Sequence, residues 1–319
     1  MKEIGGYIEL DTYTLPMLHE RALALNCGRN CLAYLLRARN IKKIALPYFL
    51  CNSVRDVCIR EKIKIQYYHI GLNFMPLDVR LDEDEWIYIV NYYGQLSNSI
   101  LEEMFHKYEK VIVDNAQAYF QMPVKGLDTL YTCRKFFGVT DGAFLYTDTI
   151  LEEEFSRDES YERMHFLLGR FERSASEFYQ EYADNNCFFV KEPIKYMSKL
   201  TENLLHGIDY EMVKKRRRDN FCYLHEAFEK VNKLELVFPD GPFMYPLYIN
   251  GGAEIRKRLI REKIYIPLLW PDVHNMNEAS ERECDMADDI LPLPLDQRYD
   301  SKDMDYVIKC IHSIMDGEV

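Results

Sequence analysis

Short apolar strands alternate with amphipathic helices through the first half of the chain, and the strands run into polar or glycine residues. The clearest strand covers 110–113, is continuously apolar from residue 111 on, and is followed by Asp114. Continuous apolar strands are typical of parallel sheets, because helices cover both faces of such a sheet. Helices predicted over 29–39, 53–62 and 97–108 separate the strands. The pattern predicts an α/β fold with a mostly parallel sheet.

The second half of the chain has a different pattern. Residues 151–205 are charged and aromatic with helical spacing, which indicates helices that lie across a domain or subunit boundary. Beyond residue 215 the pattern is that of a smaller α+β unit. Its predicted elements are helices over 220–231, 253–262 and 303–315 and strands over 234–238, 245–249 and 265–266. We therefore expect a large domain over 1–210, which includes the helical segment 151–205, and a small C-terminal domain over 211–319.

Charge and hydropathy exclude several classes of protein. The 319 residues carry a formal net charge of −12, and binding to polyanions depends on clustered Lys and Arg, so nucleic acid is not an expected partner. The one basic cluster, over 214–218, is followed by Asp219 and has the pattern of a solvated helix face. No apolar stretch is long enough to span a membrane, and residues 1–6 lack the apolar segment of a secretory signal. The expected location is cytoplasmic.

The nine cysteines do not follow a disulfide or metal-binding pattern. They are odd in number and scattered through a chain that is long enough to fold without staples, so we expect reduced thiols. No cysteines have the Cys-x-x-Cys spacing and no histidines have the His-x-x-x-His spacing of a zinc site. We expect no metal.

Three places in the sequence could carry chemistry, and the first is a glycine at a loop-to-helix junction. Gly28 lies within Cys27-Gly28-Arg29-Asn30, where a helix is predicted to begin. The start of a helix offers free backbone N–H groups and the positive end of the helix dipole to an anion. The alternative is that Gly28 only permits a tight turn.

The second and third places are a carboxylate and a lysine. Asp114 closes an apolar strand, where an unpaired carboxylate is costly, so a cation or hydrogen-bond donor should face it. The alternative role is a helix cap. Lys135 precedes Phe136 and Phe137; it either extends to water or has a depressed pKa and a free amine that can react with a carbonyl.

These three features together match the needs of pyridoxal phosphate. Its phosphate needs an anion site, its pyridine nitrogen needs a carboxylate to stay protonated, and its aldehyde needs a lysine. With these residues the chain resembles the sugar aminotransferases of the DegT/DnrJ/EryC1 type, which have the aspartate-aminotransferase fold (fold type I). The resembling motifs lie at 27–32, 44–47, 90–95 and 114–118, and at Lys135 followed by Asp141-Gly142.

The resemblance implies a fold-type-I large domain with a small α+β C-terminal domain and pyridoxal phosphate as the cofactor. It implies that Lys135 is the catalytic residue that binds the cofactor aldehyde. Asp114 is then the partner of the pyridine nitrogen, and Gln117 lies over the ring. The remaining cofactor-binding residues that it implies lie around the phosphate: Gly28, Arg29, Asn30 and Thr132.

The chain departs from the family pattern at three points. The serine that precedes the lysine in the family is absent, with Thr132 or Cys133 as replacements. Cys51 stands where many members stack an aromatic ring on the cofactor. The family segment whose Asn reaches the phosphate of the neighbouring subunit is matched only by 207–210, with Asp209 in place of Asn, and a carboxylate beside a phosphate is repulsive.

The function that the resemblance implies is a transaminase reaction. An amino acid, glutamate in the family, donates an amino group to a nucleotide-linked keto-sugar, in polysaccharide or glycan biosynthesis. A homodimer is implied too, since sites of this family are completed across the subunit boundary. Arg29 and Arg298 are candidates for binding the donor carboxylate, and surface ion pairs are the alternative. The second hypothesis is a non-catalytic or regulatory protein that keeps the fold.

Overall fold

Residues 4–317 are described by a computed structural model. Residues 1–3 and 318–319, at the ends of the two expected domains, lie outside the described residues. The strands are β1 (Leu23–Leu25), β2 (Lys43–Pro47), β3 (Lys64–Ile70), β4 (Pro76–Leu77), β5 (Trp86–Val90), β6 (Val111–Asp114), β7 (Asp128–Thr132), β8 (Ala143–Tyr146), β9 (Tyr245–Tyr248) and β10 (Ile290–Leu293). The helices are α1 (Gly28–Ala38), α2 (Asn52–Arg60), α3 (Asn98–Tyr108), α4 (His165–Glu172), α5 (Tyr179–Phe188), α6 (Lys199–Leu205), α7 (Tyr210–Phe228), α8 (Gly252–Arg261), α9 (Glu281–Asp289) and α10 (Ser301–Met315).

The large sheet has eight strands in the order β1-β8-β7-β6-β5-β2-β3-β4. Its centre is parallel: β3, β2, β5, β6 and β7 pair in the same direction, while β1, β4 and β8 join the edges antiparallel. This confirms the predicted α/β fold with a mostly parallel sheet. The pairing of Val90 with Asp114, and of Asp114 with Leu130, brings the carboxyl ends of β5, β6 and β7 to one edge.

Burial explains why the strands and helices form where they do. All four residues of β6 are buried, as a central parallel strand requires. Seven consecutive residues of α1 are buried, because the helix packs between the sheet and its neighbours. The predicted helices over 29–39, 53–62 and 97–108 correspond to α1, α2 and α3 within two residues at each end.

A second buried cluster lies in the C-terminal part of the chain. It consists of apolar residues from α7, α8, α10 and the antiparallel pair β9–β10, among them Phe221, Leu259, Leu291 and Ile311. The predicted helix over 220–231 is α7, which begins ten residues earlier, at Tyr210. Asp209 caps it by accepting a hydrogen bond from the Met212 N–H at 3.0 Å, so this residue serves the helix.

Two predicted strands of the C-terminal part are wrong, because 234–238 and 265–266 are irregular and the partner of β9 is β10. Tertiary contacts replace the strand pairing in the first case. The Gln95 side chain accepts a hydrogen bond from the Val237 N–H at 2.8 Å and donates one to its carbonyl at 3.2 Å. The apolar alternation of these segments reflects burial, which does not require a neighbouring strand.

The helical segment 151–205 contains three short helices, α4 to α6, joined by irregular chain. Several of its apolar side chains are exposed, with Phe171 exposed to 93% and Tyr179 to 66%. Among residues 4–317, no helix is both long and apolar enough to cross a membrane.

One buried histidine holds the start of the chain against the large sheet. The His19 ring is fully buried and packs on Tyr119 and Tyr131 with centroid distances of 4.7 and 4.2 Å. Its Nε2 donates to the Tyr119 carbonyl at 2.8 Å, which leaves Nδ1 to accept from the Tyr146 hydroxyl at 3.1 Å. Burial lowers the pKa of His19 to about 4, against the opposing effect of its bond to Tyr119.

We expect His19 to make the fold sensitive to mild acid. Its pKa in the folded state lies below the value of about 6.5 in the unfolded chain, so its contribution is complete above pH 6.5 and is lost as the pH falls toward 4. Between pH 7 and pH 5 the loss is about 2 kcal/mol in the free energy of unfolding. Urea denaturation at both pH values measures it. His19→Phe should reduce the pH dependence, whereas the exposed control His106→Gln should not; equal pH dependence in all three proteins would contradict the assignment.

Candidate active site

The site lies at the edge where β5, β6 and β7 end. Asp114 is the last residue of β6, and a loop over 133–142 follows β7. The Tyr88 hydroxyl donates to Asp114 Oδ2 at 2.8 Å, and the Ala116 N–H donates to Oδ1 at 2.8 Å. In the described part of the chain β7 is the next element after β6, with no α-helix between them, so the alternative role of Asp114 as a helix cap is wrong. Both carboxylate oxygens are instead held in place by donors from the same region.

Lys135 lies in the loop after β7. Its side chain is exposed to solvent, although protein surrounds it beyond the first layer of contacts. The resulting desolvation lowers the pKa of the amine, and the charge of Asp114 opposes this shift. Its Nζ lies 5.6 Å from the centroid of the Phe243 ring. Within residues 4–317 no acceptor or carboxylate pairs with Nζ, so the amine is available for reaction. The exposed side chain fits the alternative that Lys135 extends to water, and the lowered pKa fits the alternative of a reactive amine.

The carbonyl of the next residue, Phe136, fixes the position of this loop. Arg217 Nη2 donates to it at 3.3 Å and Gln297 Nε2 at 2.8 Å. Arg217 also donates to the carbonyls of Pro242 and Phe243, and its guanidinium lies 4.6 Å from the Phe136 ring centroid. Burial lowers the pKa of Arg217 to about 10, against the opposing charge of Asp296. The C-terminal half thus holds the loop that carries Lys135.

The prediction of a solvated helix face over 214–218 therefore needs a correction. Lys215, Arg216 and Arg218 are exposed, but Arg217 has only 1% of its surface exposed. Charge patterning in the sequence does not reveal this difference, because a basic cluster looks the same whether one member points inward or outward. The backbone carbonyls that surround Arg217 come from segments distant in the chain.

The start of α1 lies against the end of β7. A Cβ atom added at Gly28 would lie 2.8 Å from Cγ2 of Thr132, closer than two carbon atoms can approach. Gly28 has no positive φ, so the tight-turn alternative is wrong and the close approach to Thr132 explains the glycine. No side chain caps α1, and the buried Thr132 hydroxyl has no hydrogen-bond partner among residues 4–317. These unpaired donors fit a phosphate group.

The side chains of the other predicted cofactor-binding residues, Gln117 and Asn30, already form hydrogen bonds within the protein. Gln117 is buried, and its Oε1 accepts a hydrogen bond from the Tyr93 N–H at 2.7 Å. The Asn30 amide donates to the Pro193 carbonyl at 2.7 Å and to Asn26 Oδ1 at 2.9 Å, so its side chain holds the fold together. The backbone of Asn30 still belongs to the first turn of α1.

The two candidate arginines have different surroundings. Arg298 is paired with Asp296 through two hydrogen bonds of 2.6 and 2.7 Å and is half-exposed. Arg298 thus forms an ion pair of the kind that the alternative describes. Arg29 is partly buried and forms no ion pair within residues 4–317, so for Arg29 that alternative is wrong.

Sequence reasoning missed three residues of this site. Tyr88 orients Asp114, Arg217 holds the loop, and Arg134 interacts electrostatically with Arg29 of α1. Two signals were visible: Tyr88 brings a polar atom into a buried apolar strand, and Arg134 directly precedes the lysine. Cys51 is exposed at the start of α2.

No family model matches the chain, and no curated protein matches it. Solved structures do match. The putative sugar aminotransferase Spr1654 from Streptococcus pneumoniae, in its PLP form, is 13% identical, with 97% of this chain and 93% of that chain covered and a TM-score of 0.64. A DegT DnrJ EryC1 StrS aminotransferase from Brucella abortus is 15% identical over 92% and 85%, with a TM-score of 0.60. NtdA from Bacillus subtilis, solved with bound PMP, is 13% identical over 92% and 73%, with a TM-score of 0.67.

These likenesses establish the fold. The chain has the fold of the DegT-type sugar aminotransferases along almost its whole length, which confirms the fold-type-I architecture predicted from the sequence.

We expect the substitution Arg217→Met to destabilise the protein. It would leave the buried carbonyls around residue 217 without donors, at a cost of at least about 2 kcal/mol in the free energy of unfolding. Urea denaturation measures this cost, and Arg216→Met, an exposed neighbour on α7, is the matched control. If both substitutions cost the same small amount, Arg217 does not hold the loop.

Proposed function

We propose that this protein is a pyridoxal-phosphate-dependent aminotransferase that acts on a nucleotide-linked keto-sugar with an amino acid as donor. The observation that carries the proposal is the meeting of three groups at one sheet edge: the unpaired amine of Lys135, the oriented carboxylate of Asp114, and the uncapped start of α1 beside the unpartnered Thr132 hydroxyl. The fold-level likeness to proteins solved with PLP or PMP supports it.

The residues present fit the cofactor. Asp114 would hold a proton on the pyridine nitrogen, with Tyr88 and the Ala116 N–H fixing the carboxylate. Gln117 lies three residues beyond the end of β6, where the hydrogen bond from the Tyr93 N–H fixes its side chain; it would lie over the cofactor ring. When bound, the cofactor supplies an electron sink for the carbon that loses its proton.

Lys135 would move that proton. Desolvation lowers the pKa of its amine, which increases the neutral fraction that can accept a proton from the substrate carbon. The Arg217 and Gln297 bonds to the Phe136 carbonyl restrict the backbone next to Lys135. General-base transfer needs such fixed geometry, since its efficiency depends on hydrogen-bond reach.

For the donor carboxylate, Arg298 is the proposed partner, and it would have to exchange Asp296 for the substrate. Both are bidentate carboxylate contacts, so the exchange conserves the geometry around the guanidinium. The combination of an unpaired Lys135 amine with the oriented carboxylate of Asp114 supports the catalytic proposal over the non-catalytic alternative.

We further propose a cytoplasmic homodimer in polysaccharide or glycan biosynthesis, with a cofactor-binding domain over 1–210 and a small domain over 211–319. The exposed aromatic side chains of segment 151–205 support the dimer, since a second copy would bury them. Light scattering at micromolar concentration tests this, and a monomer would contradict it.

We expect Lys135 to bind pyridoxal phosphate covalently. The wild-type protein should develop a visible absorbance band with the cofactor, and borohydride reduction should fix the label on the peptide that contains Lys135. In Lys135→Ala both signals should disappear, because no other amine lies in this position. Lys125→Ala, at a position outside the site, should keep them. Labelling of a different lysine would overturn the assignment.

The reaction is tested by a half-turnover. Mixing the loaded protein separately with glutamate, glutamine, aspartate and alanine should convert the bound cofactor to its amine form with at least one of them, read from the loss of the visible band. Arg298→Gln should raise the donor concentration required by about tenfold or more, because a charge-assisted carboxylate contact is lost. A band unchanged by all four donors contradicts the aminotransferase proposal.

A further inference from the structure

Two guanidinium groups without carboxylate partners lie at the start of α1. Arg29 belongs to the first turn of the helix, and among residues 4–317 it has no hydrogen-bond or ion-pair partner. Arg134, in the loop after β7, donates to the neutral Asn186 amide oxygen and lies 5.0 Å from the centroid of the Phe189 ring. Neither contact neutralises its charge.

The two charges act on each other and on the same surroundings. Desolvation lowers the pKa of Arg134 and Arg29 lowers it further, against the opposing electrostatic effects of Tyr182, Cys27 and Asp141. Cys27, the residue before α1, lies within the field of both guanidinium groups. Placing two cations beside the positive end of a helix is unfavourable unless an anion completes the site.

The third feature is the unpartnered hydroxyl of Thr132. The Thr132 methyl group contacts the position above Gly28, so the hydroxyl on the same carbon lies near the start of α1. A buried hydroxyl without a partner is costly, and a phosphate oxygen would accept a hydrogen bond from it. Two guanidinium groups, a hydroxyl and free helix N–H groups together form a site for a phosphate dianion.

Helix α5 holds Arg134 in this position. Asn186 accepts from the guanidinium, and its neighbour Asn185 donates to the Thr140 carbonyl at 2.9 Å. Segment 151–205 thus packs against the loop that carries Lys135 within the same chain. The segment 207–210, by contrast, leads into α7, and the carboxylate of Asp209 caps this helix.

We infer that Arg134, positioned by Asn186 of α5, binds the phosphate of the cofactor together with Arg29, the Thr132 hydroxyl and the start of α1. This rests on the proposed function. Arg134 takes over the role of the absent serine, and α5 supplies from the same chain the amide that orients it.

Pyridoxal phosphate and pyridoxal, which lacks the phosphate, provide the test. In titrations of the cofactor-free protein followed by absorbance, Arg134→Gln should weaken pyridoxal phosphate binding by about tenfold or more and leave pyridoxal binding unchanged. Arg134→Lys should lose less, since it keeps the charge. Asn186→Ala should give an intermediate loss, and the exposed control Arg218→Gln should match the wild type. An Arg134→Gln protein that keeps the wild-type preference for the phosphorylated form overturns the inference.

Inorganic phosphate separates this inference from the proposed function. It should raise the melting temperature of the cofactor-free wild type more than that of Arg134→Gln, with sulfate-free chloride buffer of equal ionic strength as the reference. If neither aldehyde binds Lys135 but phosphate still stabilises through Arg134, the proposed function fails and the anion site stands. If both aldehydes bind but phosphate and Arg134→Gln have no effect, the site is overturned and the proposed function stands.

Discussion

The parallel pairing of β5, β6 and β7 is the constraint on which the rest of the structure depends. Parallel strands end at the same edge, so Asp114 and the loop with Lys135 meet there although 20 residues of chain lie between them. The α1 start joins this edge because Gly28 allows the helix to approach Thr132. A sheet with antiparallel order at its centre would separate these groups.

Charge burial gives the edge its chemical character. Asp114 is held by two donors that are not cations, Lys135 has no acceptor, and Arg29 and Arg134 have no carboxylate partner among the described residues. A desolvated cation without an anion, such as Arg134, costs free energy in a folded protein that has no ligand for it. A site that concentrates these costs at one place is typical of ligand binding rather than of structural ion pairing.

The C-terminal half of the chain contributes to the site by fixing the position of the loop that carries Lys135. Arg217 and Gln297 donate to the Phe136 carbonyl, and the bonds between Gln95 and Val237 attach an irregular segment to the large sheet's loops. Arg217 shows why sequence patterns mislead here. Its basic neighbours suggested a solvated face, while its own environment consists of carbonyl groups from segments that only the fold brings near.

The sequence by itself determined the α/β class and the helices α1 to α3, and it singled out Gly28, Asp114 and Lys135 as candidates, because hydrophobic periodicity and residue chemistry are local properties. Only the tertiary structure decided which arginine is free and which is paired, that the Asn30 side chain serves the fold, and that 234–238 forms no strand. Those outcomes depend on partners far away in the chain, such as Pro193 for Asn30 and Gln95 for Val237. Local patterns carry no information about such partners, since a hydrogen bond between distant segments forms only after the chain has folded.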